Sequence, residues 1–340
     1  MVYKKYMVKI FGVLFLIFVL NLFSACSTKI SSEDLPELDE LSRNIFLELE
    51  VYKKEVSNLA IQLEKIYNLS ESEKMELISN VDENQYTLSE NGVFYRKELS
   101  EGSAVFVSGY TPINDLIKDA VYFTEGIDST FKTIMKKHDE IAQVYYNDEN
   151  SYNRIYPSFD VLTQYQPKMN IPDFNFYYLA DLGHNPEKIP VWVKEPYVDP
   201  AGRGWMISTI APVYSDDYLQ GVAGIDLTIT EITKKHLQNE DLFMITAEGI
   251  VVTISEEIST ILSLPILKNH KYIETIKSDS YMVDDFNLMK SKTEEVRNFA
   301  QMIINSKENI VLVDIDGTEY RVSKSNIDEL DWIVIKMVKN

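Results

Sequence analysis

The sequence predicts an α+β fold, with a long N-terminal helix ahead of two modules built on antiparallel sheets. Three observations carry this expectation. Leu38, Leu41, Ile45, Leu49, Tyr52, Val56, Leu59, Leu63 and Ile66 recur at steps of three and four with charged residues between them, the period of an amphipathic helix. From Val93 onward, short apolar runs alternate with turn residues, the texture of paired strands. The two halves of that region also share an order of helix, strand pair, helical insertion and closing strands.

The helix is expected to begin near Asp34, with Pro36 in its first turn, and to run to residue 76. Its stripe has coiled-coil spacing, and its expected place is along the rest of the protein. GVFYRKEL and SAVFVSG read as short strands. PINDLIKDAVYFTEGIDSTFKTIMKKH reads as helix, with Leu116, Ile117, Val121, Ile127, Phe131 and Ile134 on its apolar face. IAQVYYNDENSYNRIYP is strand, turn and strand, turning over Asn147 to Asn150. FNFYYLADL fits either a strand or a short helix. WMISTIAPVY and GVAGIDLTI form a hairpin around SDDY, and EITKKHLQNED leads out as a helix. LFMITAEGIVVTIS and NIVLVDIDGTEYRVSKSN are two further hairpins, turning at Glu248-Gly249 and Asp316-Gly317. LDWIVIKMV is a last strand, at an edge or in the centre of its sheet.

The N-terminus bears on location. MVYKKYMVK carries three lysines and no acid, an apolar run IFGVLFLIFVLNLF follows, and Ser24, Ala25 and Cys26 come next. This is the pattern of a secretory signal. Small residues just before the only cysteine resemble the lipobox of bacterial lipoproteins, with Phe23 in place of the usual leucine. The resemblance implies cleavage after residue 25, lipidation (palmitate) of Cys26, and anchoring in the bacterial cell envelope through lipid alone, on the outer face of the cytoplasmic membrane or in the outer membrane. Loss of residues 1–25 removes three lysines and no acid, which moves the formal charge from −20 to −23. So acidic a body is repelled by nucleic acid and by anionic lipid, and both are excluded as partners.

The order of these elements, with GVAGIDLTI ahead of a helix and LFMITAEGIVV after it, resembles the double Cache sensor domains of bacterial chemoreceptors and sensor kinases. Trp192-x-x-x-Pro196-Tyr197-x-Asp199, MISTIAPVY and GVAGIDLTI carry the similarity, which extends over roughly residues 34 to 340. It implies two stacked PAS-like α/β modules: a membrane-distal, ligand-binding one over 77–238 and a membrane-proximal one over 239–340, after a tether at 26–33 and the stalk helix at 34–76. In amino-acid-binding members an arginine followed by Trp-Tyr grips the ligand carboxylate, and an aspartate on a later strand takes the ammonium. Asp226 matches that aspartate. The Arg-x-Trp-Tyr segment is absent, and NPEKIPVW stands in its place.

The residues themselves point the same way. An ionised Asp226 inside an apolar strand needs a partner, and aromatic faces beside a carboxylate suit an ammonium group. Trp192, Tyr197, Asp199, Asp226 and Tyr146 are the expected ligand-binding residues, with Arg154 and Lys194 available for a ligand carboxylate. Trp205 is expected to be structural. Tyr145, Tyr156, Tyr177, Tyr178 and Tyr214 are further available aromatics.

Catalysis is not expected. His138, His184, His236 and His270 each lack a second ligand at metal spacing, and His184-x-x-Glu187 has no third partner. Gly202-Arg203-Gly204 lacks the strand–loop–helix context of a phosphate loop. DIDG at 314–317 starts like a calcium loop but lacks the distal glutamate, and no Gly-x-Ser-x-Gly elbow is present. Neither a cofactor nor a metal is expected. The sequence therefore reads as a lipid-anchored small-molecule sensor that signals through a membrane receptor, kinase or transporter. A structural or adhesive surface lipoprotein on the same scaffold is the alternative.

Overall fold

A computed structural model describes residues 34–99, 102–198, 205–264 and 286–340. The signal segment, the tether, Cys26, Asp199 and Gly202-Arg203-Gly204 lie outside the described residues. The described residues from Leu35 onward belong to one compact unit.

The first helix, α1, spans Asp34–Tyr67 and buries Leu38, Ile45, Leu49, Tyr52, Val56, Leu59 and Leu63, the stripe read from the sequence. It ends earlier than residue 76. Asn68 and Leu69 interrupt it, and Ser70 caps a separate helix, α2 (Glu71–Ser79). The Ser70 side chain accepts from Glu73 N while the Glu73 carboxylate accepts from Ser70 N, a reciprocal capping box that starts a new helix.

The next elements are β1 (Tyr86–Leu88), β2 (Phe94–Arg96), β3 (Ala104–Val107), α3 (Asp115–Phe123), α4 (Asp128–Lys137), β4 (Ile141–Asp148) and β5 (Tyr152–Tyr156). Two short helices, α5 (Val161–Gln164) and α6 (Asn175–Tyr178), flank a 3-10 turn at Ile171–Asp173, so FNFYYLADL is helical here. The strands β6 (Val191–Val198), β7 (Trp205–Ser215) and β8 (Tyr218–Thr228) complete an eight-stranded antiparallel sheet in the order β1-β2-β3-β5-β4-β8-β7-β6.

This sheet is covered on both faces, and strand alternation assigns each residue to one of them. Val144, Tyr146, Tyr152, Ile207, Ala223 and Ile225 pack in one core with α1, α3 and α4. Tyr145, Ile155, Val193, Ile210 and Val222 turn to the other side, against Val161, Ile171, Tyr177 and Ala180 of the 161–180 segment.

After α7 (Ile229–His236) comes a five-stranded antiparallel sheet, β10-β9-β13-β12-β11. Its strands are β9 (Leu242–Thr246), β10 (Val251–Thr253), β11 (Ile310–Ile315), β12 (Thr318–Ile327) and β13 (Trp332–Lys339). The last strand is central. Ile333, Ile335 and Met337 pack under α8 (Glu256–Ile261) and α9 (Glu294–Asn305), while Trp332 and Val334 join the core of the first sheet and α1. A strand buried on both faces belongs inside its sheet. The β11–β12 hairpin turns through Asp316 (φ 52°) and Gly317 (φ 72°), left-handed at both positions as a tight hairpin requires.

The two sheets are joined by polar contacts as well. Lys53 of α1 pairs with Glu329 at 2.5 Å, and Ser325 donates to Asp39 at 2.7 Å. Lys194 of β6 pairs with Asp331 at 2.5 Å, and Trp332 Nε1 donates to the Lys194 carbonyl at 3.2 Å. No helix among the described residues is long and apolar enough to cross a membrane.

Candidate ligand-binding site

The side of the first sheet away from α1 holds a small cavity, about 80 Å³, between β4, β5, β6 and β8 and the 161–180 segment. Strand period and register build its floor. Gln143, Tyr145 and Asn147 alternate along β4 and face the cavity, with Asn153 and Ile155 beside them on β5. On β8, Asp226 lies opposite Gln143, and on β7 Ser208 lies opposite Asp226. Tyr197 of β6 closes that end. Tyr165, Met169, Ile171, Phe174 and Phe176 form the apolar roof, with the Phe174 and Phe176 rings stacked at 5.2 Å.

Asp226 is 1% exposed. Its carboxylate accepts from Gln143 Nε2 and, at 2.6 Å, from Ser208 Oγ, which itself lies 3.2 Å from the Tyr197 hydroxyl. Burial, and then the Asp226 charge, push both the Tyr197 and the Tyr145 hydroxyls well above the ordinary tyrosine pKa, so both remain protonated donors. The Tyr145 hydroxyl is buried beside Ser208 and Asp226. Its ring lies over Gly224, where an added Cβ would come within 2.0 Å of Tyr145 Cζ. The glycine of GVAGID thus makes room for the tyrosine beside its aspartate.

Of the residues singled out in the sequence, the structure brings Asp226 and Tyr197 together in this cavity and places four others elsewhere. Tyr146 faces α1, its hydroxyl lying 2.7 Å from the Tyr67 hydroxyl and 3.0 Å from the Gln220 carbonyl oxygen. Arg154 is fully buried on that same side, donating to Asp128 (3.0 Å), the Tyr152 hydroxyl (2.6 Å) and the Val121 carbonyl (2.7 Å). Trp192 is buried in the α1-side core, and Lys194 is the half-exposed partner of Asp331 in the second sheet. Asp199 lies outside the described residues. Gln143, Asn147, Asn153, Tyr165, Met169, Phe174 and Phe176 were not anticipated. Gln143 and Asn147 carried a signal, being polar residues at even spacing in an otherwise apolar strand.

A buried carboxylate and neutral donors at one end of an aromatic-roofed cavity can hold a small polar molecule. No group of three or more His, Cys, Asp and Glu among the described residues could hold a metal.

One long helix beside two antiparallel sheets, with a covered cavity on the first, is the architecture of the double Cache sensor domains, and the chain has that fold. It is similar in structure to the extracellular domain of mmHK1S-Z3, a candidate histidine kinase, with a TM-score of 0.52 and 10% identity over 92% of this chain and 96% of that one. The ligand-binding domain of the Pseudomonas aeruginosa amino acid chemoreceptor PctB, in complex with L-Arg, matches with a TM-score of 0.49 and 14% identity over 91% and 94% of the two chains. The sensory domain of the Campylobacter jejuni chemoreceptor Tlp3, with isoleucine bound, matches with a TM-score of 0.49 and 11% identity over 92% and 95%. No protein-family model and no curated protein sequence matches the chain.

Proposed function

We propose that this chain is a lipid-anchored extracytoplasmic sensor that binds a small polar metabolite, an amine or an amino-acid-like molecule, in its membrane-distal module (77–238). The module at 239–340 relays occupancy to a membrane receptor, kinase or transporter. The observation that carries this reading is the cavity itself, where the buried Asp226 carboxylate, the Tyr145 and Tyr197 hydroxyls and the aromatic roof meet. A carboxylate with aromatic faces around it favours a cationic head group, because ring quadrupole and charged hydrogen bond act on the same ammonium. Anchoring rests on the Ser24-Ala25-Cys26 segment.

Thermal denaturation of residues 27–340 against a panel of amines, amino acids and carboxylates tests the binding. A ligand at 100 times its Kd raises stability by about 2.7 kcal/mol, and Asp226→Asn should remove the shift. A panel with no active compound, or an unchanged shift in Asp226→Asn, refutes the site and leaves a surface scaffold as the better account. Palmitate labelling of cells expressing the chain, lost in Cys26→Ser, tests the anchor separately.

A further inference from the structure

The cavity has a second polar rung that the amine reading leaves unused. Asn147 and Asn153 are 1% and 4% exposed, lie opposite each other on β4 and β5, and line the cavity. Asn153 Nδ2 donates to Asn147 Oδ1 at 2.7 Å, and the Tyr165 hydroxyl donates to Asn153 Oδ1 at 3.4 Å, in keeping with that orientation of the pair. That bond uses the Asn147 oxygen and leaves its Nδ2 group as the end of the pair that is open to the cavity. A donor open to a cavity takes its acceptor from whatever occupies the cavity, water or ligand.

Position turns this into a statement about ligand shape. Asn147 stands four residues along β4 from Gln143, and Gln143 is directly opposite Asp226. At about 3.4 Å per residue the two rungs are roughly 14 Å apart at their Cα atoms. Side chains reaching into the cavity shorten that span but do not close it, and the Tyr145–Ile155 rung lies between them. A molecule touching both rungs is elongated. Nitrogen and oxygen on adjacent carbons cannot reach both ends.

Building on the amine reading of Asp226, we propose that the Asn147–Asn153 rung is the specificity-determining second subsite. It selects primary amines that carry an oxygen acceptor at the far end of the chain. Asp226 holds the ammonium, Ile155, Phe174 and Phe176 cover the alkyl chain, and Asn147 Nδ2 donates to the terminal oxygen. A carboxamide pair distinguishes this oxygen from a second ammonium, since Asn147 Nδ2 offers only hydrogens.

Calorimetric titration of the full chain tests the proposal with three matched sets. These are a homologous series of straight-chain ω-amino alcohols, n-alkylamines of the same lengths, and isomers with both groups on adjacent carbons, such as norvalinol for the five-carbon member. One hydrogen bond to the oxygen is expected to give the best ω-amino alcohol roughly a tenfold advantage (about 1.4 kcal/mol) over its alkylamine and its isomer. Asn147→Leu should bring the affinities of the amino alcohol and its alkylamine together, whatever it does to both, so that the ratio between them falls to about one. The near-isosteric Asn147→Asp should move the preference to α,ω-diamines, and it decides the matter if the leucine variant does not fold. Equal binding of amino alcohol, alkylamine and isomer, or an advantage that survives both substitutions, overturns the second subsite and leaves the amine site at Asp226 standing. If no amine in any set binds, both readings fall together.

Discussion

Replacing Gly224 by alanine should displace Tyr145 and destabilise the first sheet. An ideal Cβ at position 224 would lie 2.0 Å from Tyr145 Cζ, 2.3 Å from Cε2 and 2.4 Å from the hydroxyl oxygen. Carbon atoms in contact settle near 3.5 to 4.0 Å, so the ring must retreat by about 1.5 Å. It has little room, because Tyr145 is 4% exposed and packs edge-on against Phe176 at 6.3 Å. Forcing an extra methyl into such a site costs about 1 to 3 kcal/mol, which outweighs the roughly 0.5 to 1 kcal/mol that alanine gains over glycine in a strand.

Urea denaturation in two backgrounds isolates the cause. In the Tyr145→Ala background the ring is gone, and Gly224→Ala should become neutral or stabilising, a coupling within the 0.5 to 3 kcal/mol seen for contacting residues. Gly221→Ala is the control. Its Cβ would approach the Asn147 carbonyl oxygen to 2.2 Å, a backbone contact that truncating Tyr145 does not relieve. If Gly224→Ala costs under about 0.5 kcal/mol, or costs the same in both backgrounds, the glycine does not serve the tyrosine and this account of GVAGID is wrong.

Two further predictions concern carboxylates on or near the α1 side of that sheet. Burial pushes Asp148 up to about 7, although the Tyr152 and Asn150 amides donate to it and pull the other way. The native state then holds a proton that the unfolded chain releases near pH 4. This group's contribution to stability is therefore full below about pH 4 and lost as pH rises through about 7, amounting to some 3 to 4 kcal/mol. Asp148→Asn keeps the acceptor oxygen, so it should be more stable than the parent at pH 8 and indistinguishable at pH 4 in paired denaturation curves; equal stabilities at both pH values would contradict this. Asp128 behaves oppositely. Burial raises its pKa, but the Arg154 charge and the hydrogen bonds from Ser103 outweigh burial and hold it below the usual value, so its stabilisation is present above about pH 4 and lost as pH falls further. Asp128→Asn strands the fully buried Arg154 and should cost about 3 to 5 kcal/mol at pH 7. A melting temperature unchanged by that substitution would mean that Arg154 has another anion.

Much of the fold was legible because each element stated its period. The α1 stripe, the β4–β5 and β7–β8 pairs, the Asp316-Gly317 turn and the strand ending the chain all read directly from spacing and turn chemistry. The end of α1 was readable too, since Ser70-x-x-Glu73 is a capping-box pattern and the apolar stripe stops at Ile66. What the sequence could not supply was the roof of the cavity. Residues 161–180 are short helical turns without a sustained period, and only their packing onto Tyr145 and Ile155 gives Met169, Phe174 and Phe176 a role.

The site was half legible, and the missing half turns on parity. In a sheet covered on both sides, aromatic residues mark neither face, so Tyr145 and Tyr146 look equivalent in IAQVYYND. Adjacent strand residues nevertheless point apart, and the two cannot serve one site. The same arithmetic separates Trp192 from Tyr197. Pairing with β7 puts them on opposite faces across a bulge between Val193 and Tyr197, with Trp192 opposite Thr209 in the α1-side core and Tyr197 opposite Met206 in the cavity with Asp226. It likewise separates Arg154 from Asn153 and Ile155. A buried aspartate therefore does more than nominate itself. Once its strand is paired, Asp226 fixes which alternate residues on each neighbour share its face, and Gln143, Tyr145 and Asn147 follow from register alone. The aromatic richness of the 190–226 stretch drew attention to several residues of which only those with the parity of Asp226 reach the cavity.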